Sequence, residues 1–231
     1  MSDSPSASRS RLELTRAGWP VLVALEPAKS GSVRRLEWNG RSLAWSLTPP
    51  ETSDNEPVPV IQEARLEHMG EDCPVLLGLG VSARRHYSLS IEARLDSTDG
   101  HAAVFECDLA ARGASGPLAD TWVCGLNPTD LIETGSSRIA WRLAEGAEVV
   151  LEVEETDDPK ATLAIGEAGR TGWLIQVTRF GEVASVGTRP VTTRLRYRWR
   201  VILSQARSWK VFHPNPMRDR ICFGNSDSTR S

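Results

Sequence analysis

The chain is expected to be all-β: one antiparallel β-sandwich domain with disordered ends. Three observations in its 231 residues predict this. Apolar and polar side chains alternate with period 2 over several runs, the pattern of strands with one buried and one wet face. Gly (18) and Pro (14) punctuate nearly every gap between those runs. No segment sustains the 3.6-residue apolar stripe of an amphipathic helix. Many short strands with turns between them indicate a sandwich or barrel, and all-β domains of this length commonly form one unit.

Taken in order, residues 1–10 form a polar tail with nothing to bury, the sandwich occupies residues 11–206, and residues 207–231 form a C-terminal strap and tail. Residues 19–25 are an apolar, β-rich run, and residues 27–32 supply a turn. Residues 33–38 lead into Asn39-Gly40, a pair that tolerates the positive φ angles of a type I′ hairpin turn, and residues 42–47 form the return strand. Residues 48–59 are polar and proline-rich, a long surface loop. Residues 61–69 and 129–134 are each expected to form at most a short helix, and Gly78-Leu79-Gly80 reads as a bulge or turn.

The clearest strand is residues 84–96, where Tyr87, Leu89, Ile91, Ala93 and Leu95 point one way and His86, Ser88, Ser90, Glu92 and Arg94 the other. Residues 97–100 turn the chain, and Ala103, Phe105, Cys107 and Leu109 resume the apolar face. That hairpin should set Glu106 and Asp108 opposite Glu92 and Ser90. Further strands are expected at residues 121–125, 137–143, 148–154, 172–179 and 192–203. Trp38, Trp45, Trp141, Trp199, Tyr87, Leu89, Ile91 and Phe105 should be largely buried. Trp209, Val211, Phe212, Ile221 and Phe223 provide apolar groups for the strap, with disorder after Phe223.

Composition excludes several classes of function. Thirty acidic and 27 basic side chains give a formal net charge of -3, so bulk charge does not make the chain a nucleic-acid binder. No window approaches 18 uninterrupted apolar residues, so no membrane helix is expected, and the N-terminus has no apolar segment of a secretory signal. Cys73, Cys107, Cys124 and Cys222 are widely spaced, with no C-x-x-C pair, which fits reduced thiols in a cytoplasmic protein and no metal site. Nucleophile-elbow, phosphate-loop, dinucleotide and zinc-protease motifs are absent, so no cofactor is expected.

Two features carry candidate chemistry. Arg194, Arg196, Arg198 and Arg200 alternate with Leu195, Tyr197, Trp199 and Val201, so one strand face displays four guanidinium groups about 6–7 Å apart. Such a row can grip phosphate, sulfate or uronate groups by bidentate hydrogen bonds. The competing reading is a face paired across the sheet, with Glu148, Glu152 and Glu154 of a neighbouring strand as partners. The second feature is His86, on the polar face of the central hairpin, which would need a proton-transfer partner within hydrogen-bond reach. Glu92 is six residues on, roughly 20 Å away along the strand. His68 and His213 have no readable partner.

Residues 20–43, Pro-Val-Leu-Val-Ala-Leu-Glu-Pro-Ala-Lys-Ser-Gly-Ser-Val-Arg-Arg-Leu-Glu-Trp-Asn-Gly-Arg-Ser-Leu, resemble the opening of galactose-mutarotase-like proteins: strand, glycine turn, second strand, Asn-Gly turn, strand. The resemblance implies a large antiparallel supersandwich with a sugar-binding concave face. It also implies proton transfer by two histidines and a late glutamate, but no glutamate follows Pro190 here. A separate stretch, Arg85-His-Tyr-Ser-Leu-Ser-Ile-Glu92, is similar to planctomycete-type bacterial proteins and implies no activity. The functional expectation is a non-catalytic carbohydrate-binding or interaction module, with anionic sugars the ligand if the arginine row is open. The alternative is an epimerase-like or hydrolytic enzyme using His86.

Overall fold

The computed structural model describes residues 11–16, 18–28, 31–46, 59–69, 73–82, 85–96, 102–113, 117–125, 128–143, 146–153, 161–167, 173–179 and 191–202. In chain order the strands are β1 (Leu12–Leu14), β2 (Val21–Ala28), β3 (Gly31–Trp38), β4 (Arg41–Ser46), β5 (Glu63–His68), β6 (Pro74–Ser82), β7 (Arg85–Asp96) and β8 (Ala102–Gly113). They continue with β9 (Leu118–Cys124), β10 (Leu131–Thr134), β11 (Arg138–Arg142), β12 (Glu148–Val153), β13 (Ala161–Glu167), β14 (Trp173–Arg179) and β15 (Val191–Ile202). A single 3-10 turn at Pro128–Asp130 is the only helical element among the described residues, so none of them forms a helix able to cross a membrane.

The strands form two antiparallel sheets, one of seven strands in the order β1-β2-β3-β4-β9-β14-β13 and one of eight in the order β10-β11-β12-β15-β8-β7-β6-β5. Alternation explains the layering, since each sheet buries its apolar face against the other. The Asn39-Gly40 turn has φ of 48° and 75°, the left-handed pair that a type I′ hairpin requires. In the long hairpin Glu92 faces Glu106 and Ser90 faces Asp108, the expected register.

Four expectations are corrected. Residues 61–69 contribute strand β5, not a helix, and residues 129–134 pass from the 3-10 turn into strand β10. Gly78 and Gly80 lie inside the regular strand β6, Gly78 paired with both Ala64 and Leu89 and Gly80 with Tyr87. The reason for these glycines is a close crossing: a Cβ on Gly80 would lie 1.7 Å from the Val60 carbonyl oxygen. Trp45 is half-buried on the outer side of the seven-stranded sheet, beside Arg35 and Val123, because a register shift at Leu36/Glu37 displaces the alternation in β4. The other seven residues expected in the core are buried there. Residues 48–58 and 207–231 lie outside the described residues.

Indoles join the two sheets. Trp122 of β9 meets Trp199 of β15 edge-on, with centroids 5.3 Å apart, and Trp141 of β11 stacks on Trp199 at 6.4 Å. Beside them lies a buried polar cluster. Arg34 of β3 donates two hydrogen bonds to Asp120 of β9 at 2.6 and 2.5 Å, and the Tyr197 hydroxyl of β15 donates to the same carboxylate. The guanidinium also lies 5.0 Å from the centre of the Trp122 ring. Arg34 is 1% exposed and Asp120 0%. Burial alone would push the Arg34 guanidinium down, but the charge of Asp120 and its hydrogen bonds outweigh it and hold it above its ordinary value. Burial and the Asp120 charge push the Tyr197 hydroxyl well up, and burial pushes the Cys107 thiol to about 12. The cluster clips β15, the strand bearing the arginine row, to the opposite sheet.

Candidate functional site

The outer face of the eight-stranded sheet carries the arginine row. Side-chain period and register place Arg194, Arg196, Arg198 and Arg200 there, opposite Ala110, Asp108, Glu106 and Val104 of β8. On the other side of β15, Glu152 and Val150 of β12 face Arg198 and Arg200.

The protein's own carboxylates occupy this row. Asp108 takes Arg196 at 3.1 Å and Arg194 at 3.8 Å. Glu152 takes Arg198 at 2.6 Å, Arg138 of β11 at 3.2 Å and Arg200 at 3.5 Å, while Asp96 takes Arg200 at 2.8 Å. Burial would push the Glu152 carboxyl up; the hydrogen bond from Arg198 and the charges of Arg198 and Arg200 outweigh it and hold the group below the usual carboxylate range. Glu152 was legible as a partner from its alternating strand. Asp108 and Asp96 belong to strands whose order in the sheet only the fold reveals.

Next to the row runs a groove of two adjoining hollows that share Ser90 and Asp108. The smaller, about 230 Å³, lies between Glu92, Glu106, Arg196 and Arg198. The larger, about 450 Å³, lies over Leu77, Leu79 and Ala110 and is walled by Ser88, Arg194 and Glu63. Leu79 is among the most exposed large apolar residues described. Glu106 is held by Arg94, whose guanidinium that hydrogen bond pushes up, whereas Glu92 accepts a hydrogen bond from Cys73 Sγ at 3.5 Å. The facing carboxylates therefore have different surroundings. Leu77 and Leu79 were missed in the sequence because β6 is apolar on both faces and shows no alternation.

His86 is exposed on the same face, near one end of β7, but does not line the groove. Its cross-strand neighbours are Val81 and Arg112, neither a carboxylate. Cys107 and Cys124 are free thiols, both buried.

No protein-family model matches the chain, and no curated protein sequence does. Solved structures do match. Heparan sulfate lyase HepC of Pedobacter heparinus superposes with a TM-score of 0.54 at 13% identity, over 80% of this chain and 33% of that one. A heparinase III superposes with a TM-score of 0.50 at 8% identity, over 83% of this chain and 34% of that one. The likeness is one of fold. The chain spans about a third of the length of these lyases. A protein of Escherichia coli K12 provisionally assigned as an aldose 1-epimerase gives a TM-score of 0.47 at 10% identity, over 83% of this chain and 99% of that one.

Proposed function

We propose that this chain binds a carbohydrate in the groove on the outer face of the eight-stranded sheet, as a binding module. The observation that carries this reading is the lining: an apolar floor of Leu77, Leu79 and Ala110 beside hydroxyl, carboxylate and guanidinium groups at Ser88, Ser90, Asp108 and Arg194. A sugar ring has one weakly polar face and a rim of hydroxyls, which these two kinds of surface complement. The sandwich shared with a protein named for acting on heparan sulfate supports the same class of ligand. The position of His86, outside the groove and without a facing carboxylate, supports binding over proton-transfer catalysis.

The charge pairing favours neutral over sulfated saccharides. Arg196 and Arg198 are met by Asp108 and Glu152, so they bring little net charge to a polyanion. This differs from the open anion grip considered from the sequence. Isothermal titration of the full chain against neutral and sulfated oligosaccharides tests the reading. Neutral sugars should bind with little salt dependence. Asp108→Ala should weaken binding at least tenfold, and Arg194→Ala should do so with little change in melting temperature, since its side chain is exposed. Absence of binding to both panels at millimolar concentration overturns the proposal.

A further inference from the structure

Most guanidinium groups on the outer face of the eight-stranded sheet are neutralised in place. Arg65 pairs with Glu67, Arg94 with Glu106, Arg196 with Asp108 and Arg198 with Glu152. The pairing stops at the end where β7 begins and β8 finishes. Arg112 of β8 is exposed there and makes no ion pair or hydrogen bond with any described residue. Directly across from it stand His86 of β7 and Thr192 of β15, both exposed. Side chains so placed have Cβ atoms about 4.5–5.5 Å apart, which sets the imidazole beside the guanidinium. One row further in, Ser88, Ala110 and Arg194 face one another. Arg194 is diagonal to Arg112, with Cβ atoms about 7–8 Å apart. Its side chain is 57% exposed, and its carboxylate, Asp108, lies 3.8 Å away and is held closer by Arg196 at 3.1 Å. Carboxylates are remote from Arg112 itself. On the described part of this face, Asp108 is four residues along β8 and Glu63 three strands across, each about 13–14 Å or more away.

We propose that this end of the face is an oxyanion-binding subsite, taking a carboxylate or phosphate group between the Arg112 and Arg194 guanidinium groups, with His86 and Ser88 as further donors. Ala110 contributes only a methyl group, so a recess opens between Ser88, Arg112 and Arg194. It continues the larger hollow, which Ser88, Ala110 and Arg194 line. Guanidinium groups bind oxyanions through paired, charge-assisted hydrogen bonds, and two stems this far apart can close on one anion. The placement also limits the ligand. A polyanion laid along the groove would meet Asp108, Glu106 and Glu92 beyond its first acid group. A ligand with a single acid group at one end meets none of them, which agrees with the neutral pairing inside the groove. The subsite does not depend on a sugar occupying that groove; the acid group is either the end of such a saccharide or a free anion.

Phosphorus NMR titration of the full chain with inorganic phosphate at low ionic strength tests the subsite. It contains no sugar, so failure of the groove reading leaves it standing. Phosphate should bind at millimolar concentration. Arg112→Gln should weaken that binding roughly tenfold or more, and His86→Gln roughly threefold. Neither should lower the melting temperature, since both side chains are exposed. Arg65→Gln, which removes an exposed arginine elsewhere on the same face, should leave phosphate binding unchanged. Glucose and glucuronic acid, which differ by one carboxylate, then identify the source of the anion. Displacement of phosphate by glucuronic acid but not by glucose assigns the subsite to the acid group of a saccharide. Displacement by neither, with phosphate still dependent on Arg112, assigns it to a free anion. Two results overturn the proposal: no phosphate binding at low ionic strength, or equal losses for Arg112→Gln and Arg65→Gln, the mark of diffuse attraction to the whole face.

Discussion

Asp120 is the residue on which the buried cluster turns, because it accepts from both Arg34 and Tyr197. Removing one partner of a buried ion pair leaves the other charge in a low-dielectric core. Asp120→Asn should therefore cost about 3–5 kcal/mol in urea-unfolding free energy. Tyr197→Phe should cost about 1–3 kcal/mol, since it deletes one hydrogen bond to a charged group. The paired replacement Arg34→Met with Asp120→Leu should recover most of the Asp120→Asn loss; a paired variant as unstable as the single one would show that the sheets need the charges themselves. The signal for this cluster was present in the sequence. Arg34 shares a strand face with Leu36 and Trp38, and Asp120 shares one with Leu118, Trp122 and Cys124. Each is a charge on an apolar stripe, but their pairing is a fact of sheet order, 86 residues apart in the chain.

Strand β6 shows how one backbone approach constrains an element. Gly80→Ala forces its methyl group against the Val60 carbonyl, and backbone cannot rotate away as a side chain would. The substitution should lower the melting temperature by more than 10 °C or yield insoluble protein. Gly166→Ala, in β13 with nothing within 4 Å of the added carbon, should be neutral or gain up to about 0.5 kcal/mol. Equal melting temperatures for the two variants would sink the account. The same strand marks the limit of reading the chain by pattern. Alternation identified β7 and β15 almost to their ends, because each has one dry and one wet face, and it found the middle of β8 around Glu106 and Asp108. It failed for β6, whose outer residues Leu77, Leu79 and Val81 are apolar too, and for β5, a six-residue edge strand whose alternation rests on Ala64 and Leu66 alone. Leu77 and Leu79, the apolar floor of the groove, were hidden for that reason, while its polar wall and the arginine row were plain.

For the whole molecule, Glu152 links three strands of one sheet through Arg138, Arg198 and Arg200. Its carboxyl lies below its ordinary value of 4.5 in the folded protein. The stabilisation it provides is therefore complete above the unfolded value and is lost as pH falls through the folded one. Glu152→Gln should be less stable than the parent at pH 7, and the two urea midpoints should begin to converge as pH falls below 4.5 and meet once it is below the folded value. A gap of constant size across that range would show that Glu152 acts by shape alone. The sandwich as a whole also carries its own optical gauge. Trp122 projects from one sheet and Trp199 from the other, 5.3 Å apart, with Trp141 stacked behind at 6.4 Å. Indoles fixed this rigidly in an asymmetric core give strong near-ultraviolet circular dichroism, whose intensity falls as the rings separate and lose their fixed orientation. Strands can keep their backbone ladders while the layers part, so that band would disappear before the far-ultraviolet β signal in any partial opening, and the chain would report its own delamination without a label.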